Sequence, residues 1–371
     1  MEQPGGEMIG YVLYGVEGIE PAASKIAYYH RAGKLRGYAE SAGLESRVVY
    51  SKRSSGETSA IRRMLKSDWL RERLSDVRAV YGGAAEACGI AAWAMRKTKV
   101  PVLYDVHTPP VGERWMAFRM KPSPRELAVY IEACLSELVC IRKADHLLWS
   151  SLIQRDYYAR RGFPNSRMHE VRHGVDLARF DIGAFVPSDA PLLVYAGTMR
   201  AYQGADRLVE AFASAGETGL RLRMIGFTDA DEGLRSKASA LGIETVGQMP
   251  HDRLMDSMRD AAATVIVAHP DAVRYKNGAA PTKWPECLAL GRPVISGDAY
   301  DTAQLIRDLK VGWVVENSAE GLSQGMRSLA ATPLAELAEM GIRARTEAER
   351  NYGWQTVGSK FVAALKASSK R

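Results

Sequence analysis

The chain has 371 residues, of which 46% are apolar and 25% are charged. These values are typical of globular proteins and exclude a disordered, collagen-like or disulfide-stapled chain. The length suits two or three domains at about 150 residues each. No uncharged apolar run approaches the roughly 18 residues that span a bilayer, and the acidic N-terminus does not resemble an export signal.

The cysteines are scattered along the chain and form no CxxC pair: Cys88, Cys134, Cys140 and Cys287. Such spacing is typical of buried thiols in a reducing compartment, and not of a zinc site or a disulfide framework. The sequence therefore predicts a cytoplasmic protein without a bound metal.

The excess positive charge lies in the first half of the chain. Residues 1–185 contain 28 Lys and Arg against 21 Asp and Glu, whereas residues 186–371 contain 22 of each. A basic surface predicts an anionic partner. The basic, amphipathic segment 61–74 with Trp69 suits the inner face of a membrane, and a solvated helix face packed on the sheet is the alternative. No stacked aromatics or reader motif indicates nucleic-acid binding.

Short apolar runs alternate with amphipathic stretches in the first half. Strands are predicted over residues 9–14, 47–50, 79–81, 102–105 and 147–149, with helices over 23–41, 60–74 and 84–97. Strands that alternate with helices require crossover connections, which give a parallel sheet covered on both faces.

A second series of the same kind begins after the Pro- and Asp-containing stretch 185–191. Its predicted strands cover residues 192–196, 221–225, 245–247, 264–268, 293–296 and 312–315, and its helices 206–215, 252–261 and 303–309. From about residue 334 the pattern is helical only. The sequence thus predicts an α/β protein of two doubly wound, Rossmann-like domains, residues 1–185 and 186–350, with a ligand in the cleft between them.

The first segment with a chemical signal is a strand, a glycine loop and an amphipathic helix at the start of the second domain. Gly197 allows the backbone to approach a ligand closely, and the helix N-terminus offers free N–H groups to a phosphate. By itself this pattern is also that of a plain strand-to-helix turn.

The second segment, residues 277–295, is more specific. Pro281 favours a helix start, and Lys283 then stands in the first turn, where a cation is disfavoured unless an anion pairs with it. Glu286 follows three residues later on the same face. A lysine suits a diphosphate, and a carboxylate suits the paired hydroxyls of a ribose. A surface Lys–Glu pair is the alternative.

These segments together resemble the retaining glycosyltransferases of family 4, which have the GT-B fold. The resemblance rests on a pattern P-x-K-x-x-E-x-x-A-x-G-x-P-V-I that runs from Pro281 to Ile295, and on Tyr195, Gly197 and Gly204 before it. The run that starts at His173 matches the family's N-G-V-D-x-x-x-F, with histidine in place of asparagine. The segment 102–109 resembles the family's strand-end histidine segment.

The resemblance implies a function and a role for each matched residue. A hexosyl group would pass from a nucleoside-diphosphate sugar to a hydroxyl of a glycan or lipid-linked acceptor, with retained configuration and without a metal or other cofactor. The catalytic residues would be His107, Lys283 and Glu286. Lys283 would offset diphosphate charge, Glu286 would hold the ribose, and His107 would face the cleft. The terminal helix 351–371 would pack back on the first domain. Donor-binding assignments fall on Gly197, Thr198, Arg200, Gln203, Gly278, Ala279, Lys283 and Glu286.

Several positions depart from the family pattern. Thr198 and Gln203 stand where basic residues are usual, with Arg200 as a substitute. Gly278 stands where many members have an acidic residue, with Asp271 as a substitute. Trp284 and Pro285 replace an aliphatic–aromatic pair.

Two alternatives therefore stay open from the sequence. One is a nucleotide-sugar epimerase on the same fold, and the other is a non-catalytic binding or scaffold protein derived from such an enzyme. A dehydrogenase is disfavoured because no G-x-G-x-x-G follows the first strand.

Overall fold

The computed structural model describes residues 8–16, 19, 26–57, 59–180, 190–199, 203–269, 278 and 280–368. The chain forms two compact units. The first contains Met1–His173, Lys276–Ala280 and Trp354–Arg371, and the second contains Gly174–Tyr275 and Pro281–Gly353.

The first unit is built on a parallel sheet of six strands in the order β2-β1-β3-β4-β5-β6. Strands β3 and β4 are buried along their whole length, as expected for parallel strands that helices cover on both faces. The strands are β1 (Ile9–Val16), β2 (Ser46–Lys52), β3 (Ala79–Gly83), β4 (Val102–Asp105), β5 (His146–Trp149) and β6 (Met168–Glu170).

Helices of the first unit begin at recognisable sequence signals. Ser123 and Ser151 each accept a hydrogen bond from a backbone N–H of the first turn that follows, as N-cap residues do. The helices are α1 (Ile26–Ser41), α2 (Ala60–Leu65), α3 (Asp68–Arg73), α4 (Ala84–Met95), α5 (Pro110–Met120), α6 (Pro124–Lys143), α7 (Leu152–Ala159) and, at the end of the chain, α15 (Trp354–Ser368).

The second unit repeats the architecture, with a parallel six-stranded sheet in the order β12-β11-β10-β7-β8-β9. Its strands are β7 (Leu192–Ala196), β8 (Arg221–Phe227), β9 (Glu244–Gly247), β10 (Ala263–Ile266), β11 (Val294–Gly297) and β12 (Gly312–Val315). Its helices are α8 (Ala205–Ala215), α9 (Glu232–Ala240), α10 (His251–Asp256), α11 (Lys283–Ala289), α12 (Thr302–Leu309), α13 (Ala319–Ala331) and α14 (Leu334–Glu347), which continues into a π-helical turn, Ala348–Tyr352.

These sheets confirm the predicted fold class of two doubly wound α/β units. Strands β4, β7 and β12 have the predicted bounds, and the other predicted strands differ from theirs by one or two residues at one or both ends. The predicted domain limits at residues 185 and 350 stay a prediction.

One helical expectation needs correction. The predicted helix 60–74 is two short helices, because α2 ends at Leu65 and α3 starts at Asp68. Trp69, for which the sequence left a membrane contact and packing on the sheet as alternatives, packs against the first unit's core with the Arg53 guanidinium over its ring.

No helix bounds were predicted for the pair α5 and α6, which lies between β4 and β5. Its mixed apolar and basic sequence has weak amphipathic contrast, so the periodicity gave little signal. Within the described ranges no helix combines the length and apolar character needed to cross a bilayer.

The four thiols are free. Cys88, Cys140 and Cys287 are buried as expected, and Cys134 on α6 is only half-buried. Burial raises the pKa of the Cys287 thiol to about 12, so this sulfur is an unreactive core group.

Candidate active site

The second unit has its topological switch point between β7 and β10. From β7 the chain adds strands on one side as far as β9, and then crosses to β10 on the other side. Doubly wound sheets bind ligands in the crevice at this point, at the carboxyl ends of the strands. Gly197 follows β7 directly and Ala268 follows β10 closely, so both lie at this edge.

Lys283 approaches the backbone at Gly197. A Cβ atom built on Gly197 would collide with the Lys283 Nζ and would stand 3.0 Å from the Tyr195 Oη. The Lys283 Nζ also lies 4.3 Å from the centroid of the Tyr195 ring, within the range of a cation–π contact. The structure therefore brings two residues of the sequence prediction, Gly197 and Lys283, into direct contact.

Helix α11 presents Lys283 and Glu286 on its less buried face. Trp284 is buried and its Nε1 donates a hydrogen bond to the Tyr352 Oη at 2.9 Å. Cys287 and Leu288 are buried as well, whereas Lys283 and Glu286 are half-buried. The departure at Trp284 thus has a structural role, because it anchors the helix that carries the predicted pair.

The loop after Gly197 contains further predicted donor contacts. The hydroxyl of Thr198 is buried and has no hydrogen-bond partner among the described residues, while its carbonyl accepts from Tyr195 at 3.0 Å. Gln203 is half-buried and precedes Gly204, which has a φ of +69° and caps α8. A Cβ on Gly204 would stand 2.8 Å from the Ala268 carbonyl group, so only glycine fits there. Arg200, Ala279 and Asp271 lie outside the described residues.

Gly278 belongs to the first unit and is buried against the start of α7. Its φ is +94°, and a Cβ there would collide with the Gln154 amide nitrogen and stand 2.9 Å from the Gln154 Cα. The Ser151 hydroxyl donates to the Gly278 carbonyl at 2.7 Å. An acidic side chain has no room at this position, so the departure from the family pattern reflects packing. Donor contact by Gly278 stays a prediction.

His107 lies in the first unit, just beyond the carboxyl end of β4. Its ring stands edge-to-face with Tyr28, at 6.2 Å between centroids, and with His173, at 5.8 Å. Its carbonyl accepts a hydrogen bond from the Gln154 side chain at 3.3 Å. A cluster of two imidazoles and a phenol therefore stands at the strand ends of the first sheet.

His173 also belongs to this cluster, and in the sequence it stands where the family motif has asparagine. It is 8% exposed, and its Nε2 has no hydrogen-bond partner in the described part of the chain. Burial lowers the pKa of His173 well below its usual value, and the charges of Arg31 and His107 lower it further. The ring is therefore neutral at pH 7.

A buried ion pair between Arg31 and Asp105 holds the segment that leads to His173. Arg31 on α1 donates to both carboxylate oxygens of Asp105, at 2.8 and 2.9 Å, and to the carbonyl of Val171 at 2.7 Å. Tyr81 donates to the same carboxylate at 2.5 Å. Because Val171 precedes His173 by two residues, Arg31 links α1, β4 and the histidine segment. Nothing in the sequence alone marked Arg31, since its partners are distant along the chain.

Taken separately, each unit presents a different chemistry at its strand ends. At the strand ends of the second unit, the Lys283 ammonium lies beside the Gly197 backbone, and Glu286 follows one helical turn later. At the strand ends of the first unit lie the rings of His107, His173 and Tyr28. In the described part of the chain no three His, Cys, Asp or Glu side chains are grouped to hold a metal ion.

Comparison with known families gives a match for the second half of the chain. Residues 181–347 match the family described as glycosyl transferases group 1. A putative colanic acid biosynthesis glycosyltransferase of Escherichia coli K12, WcaL, is 25% identical over 229 residues, or 59% of this chain and 55% of that protein. The chain thus spans about half the length of the curated relatives that it matches.

Solved structures match over nearly the whole chain. Sucrose-phosphate synthase of Thermosynechococcus elongatus has a TM-score of 0.72 at 15% identity, with 97% of this chain and 98% of that chain covered. Alr3699/HepE of Anabaena, solved in complex with UDP, has a TM-score of 0.68 at 13% identity, with 97% and 100% covered. At these identities the likeness shows the fold. The resemblance to group 1 glycosyltransferases is confirmed for residues 181–347, and the GT-B fold is confirmed as well, whereas the assignment to family 4 stays a prediction.

Proposed function

From the match of residues 181–347 to the group 1 glycosyl transferases, we propose that this chain is a hexosyltransferase. It moves a sugar from a nucleoside diphosphate to a hydroxyl group of a glycan or lipid-linked acceptor. The UDP bound to Alr3699/HepE supports a nucleotide-sugar donor, and the name of the Escherichia coli relative supports a glycan acceptor. Retention of configuration and independence from metals belong to the same proposal.

The observation that carries this proposal is the approach of Lys283 to Gly197 at the switch point of the second sheet. The missing side chain lets the Lys283 ammonium approach this backbone, where it would meet a diphosphate bound at the strand ends. As the nucleoside diphosphate leaves, negative charge grows on its phosphate oxygens. A fixed cation there stabilises the transition state more than the bound donor.

Glu286 holds the ribose in this proposal. It stands on the same helical face as Lys283, one turn further on, so both can contact one ligand. A carboxylate accepts two hydrogen bonds from neighbouring hydroxyls, which orients the nucleotide without taking part in bond cleavage.

His107 contacts the transferring sugar or the acceptor in this proposal. The rings of Tyr28 and His173 hold it from two sides. Exclusion of water from the reacting groups then favours transfer over donor hydrolysis.

The test is a donor-hydrolysis and transfer screen over UDP-, GDP- and ADP-sugars with the purified protein. Lys283→Ala should lower turnover with the accepted donor about a hundredfold or more, because it removes a charge-stabilising group. Glu286→Gln should mainly weaken donor binding, by about tenfold or more, since a hydrogen bond to a charged group is lost. Exposed residues of the same types give the matched controls, Lys237→Ala and Glu336→Gln, which should change neither quantity.

Gly197→Ala gives an independent check of the geometry. The new methyl group would displace the end of the Lys283 side chain, so the defect should equal that of Lys283→Ala, and the double variant should be no worse. Unchanged turnover in Lys283→Ala would contradict the site. Rearranged donor without any acceptor would indicate an epimerase, and no calorimetric signal with UDP, GDP or ADP would indicate a scaffold protein. Chelation by EDTA should leave transfer unchanged.

A further inference from the structure

Helix α6 has apolar side chains on two opposite faces. One face, with Ser136 and Cys140, is buried and packs on α4. The other carries exposed large apolar residues at helical spacing: Leu127 (41% exposed), Ile131 (45%), Leu135 (38%) and Leu138 (47%). At about 100° per residue these four fall within one narrow arc roughly opposite the buried face. We call this set the α6 stripe.

Other exposed apolar groups lie on the helices that pack against α6. Trp115 on α5 is 43% exposed and its ring stands 5.3 Å from that of Tyr130 on α6. Met120, at the end of α5, is 81% exposed. Leu65 on α2 is 66% exposed, and the start of α2 is tied to α6 because Glu132 accepts hydrogen bonds from Ser59 and Ala60. Together they extend the α6 stripe into an apolar patch.

The exposed charged groups of the helix pair α5 and α6 have one sign. Every exposed charged residue on α5, on α6 and in the short loop between them is basic: Arg114, Arg119, Lys121, Arg125, Arg142 and Lys143. The acidic residues of the same helices, Glu113, Glu126, Glu132 and Glu137, are half-buried or buried. The exposed apolar side chains of α5 and α6 therefore stand among exposed charges of one sign.

Exposed apolar side chains among basic groups distinguish between the partners that could cover this surface. A second copy of the chain, docked by its own α6 stripe, would bring two sets of like charges together and bury them. An anionic lipid surface neutralises the basic groups and accepts the apolar side chains at the level of the acyl chains, and tryptophan favours that depth.

We propose that the patch formed by the α6 stripe, Trp115, Met120 and Leu65 seats the first unit on an anionic membrane surface. This surface differs from the segment 61–74 that the sequence suggested for a membrane contact, because Trp69 of that segment packs on the core. It rests on no step of the proposed sugar transfer.

The test is sedimentation of the full chain with vesicles, without donor present. The protein should bind vesicles of phosphatidylcholine mixed with phosphatidylglycerol, bind vesicles of phosphatidylcholine alone far less, and release as salt rises. The triple variant Ile131→Gln, Leu135→Gln and Leu138→Gln should bind the anionic vesicles at least about tenfold more weakly, because its buried apolar area is lost.

The matched control replaces three apolar residues of the second unit that are exposed to a similar or greater extent: Leu241→Gln, Leu334→Gln and Ile342→Gln. It should bind as the unaltered protein does. A separate variant, Arg119→Gln with Lys121→Gln and Arg125→Gln, should lose binding at low salt, at about fivefold per charge.

Three outcomes would overturn the proposal: no vesicle binding by the unaltered chain, equal binding by the α6 stripe variant, or a dimer in light scattering that the stripe variant converts to monomer. Donor hydrolysis is measured without vesicles, so failure of one proposal is separable from failure of the other.

Discussion

At the scale of single residues, the first unit keeps a neutral imidazole buried beside a buried ion pair. His173 has Arg31 and His107 as charged or titratable neighbours, and these together with burial lower the pKa of His173 well below its usual 6.5. Burial also lowers the pKa of His169, whose Nε2 stands 2.9 Å from the Nδ1 of His146. Both rings are therefore more easily protonated in the unfolded chain than in the folded one.

This difference predicts how stability depends on pH. Between the folded and unfolded pKa values the unfolded chain binds more protons, so the free energy of unfolding falls as pH drops below the usual histidine value of 6.5. Each histidine contributes at most about 1.4 kcal/mol per pH unit. His173→Asn should flatten the slope between pH 7 and pH 5 in denaturant titrations while staying folded at pH 7.5. An unchanged slope would show that His173 protonates freely in the folded state.

At the scale of elements, a bulge in β8 makes room for the glycine loop of the site. The pairing of β8 with β9 shifts register between Ile225 and Phe227, where Gly226 has a φ of +120°. The Gly197 amide donates to the Ile225 carbonyl at 2.9 Å, and a Cβ on Gly226 would collide with the Gly197 carbonyl oxygen. The bulge therefore requires glycine at position 226, where the carbonyl of Gly197 lies against it.

Gly226→Ala should consequently destabilise the second unit by about 2–4 kcal/mol, because both the positive φ and the collision act against it. Gly233→Ala is the matched control, since that glycine lies in α9 with open space around it. The control should be neutral or stabilising by up to about 1 kcal/mol. Equal midpoints for the two variants in urea would contradict the packing at Gly226.

At the scale of the whole molecule, the end of the chain completes the unit with which it began. Helix α15 packs on α1, and Trp354, Val357 and Phe361 enter the same core as Tyr11 and Tyr81. The ring of Phe361 is fully buried and stands 5.8 Å from that of Tyr81, edge-to-face. Contacts of such long sequence separation make the first unit dependent on a helix that follows the second unit in the sequence.

Phe361→Ala should therefore lower the free energy of unfolding of the first unit by about 3–5 kcal/mol, through lost burial and the cavity left behind. Lys366→Ala, at an exposed position of the same helix, should stay within about 0.5 kcal/mol of the unaltered protein. Chemical denaturation followed by aromatic fluorescence measures both. A small effect of Phe361→Ala would mean that α15 contributes little to this core.

The order of strands and helices followed from the sequence, because alternating apolar runs and amphipathic stretches are local signals. The same holds for the shared face of Lys283 and Glu286, which depends only on their spacing and on the helix start at Pro281. The break between α2 and α3 and the pair α5 and α6 escaped prediction, since core packing overrides weak periodicity there.

The tertiary structure alone decided which distant residues meet. It brought Lys283 to Gly197, paired Arg31 with Asp105, and placed Gly278 against Gln154. It also left the apolar side chains of the α6 stripe in solvent. The physical reason is that the burial of a residue and its contacts with distant residues depend on how the elements pack. The spacing of residues along the sequence does not specify that packing.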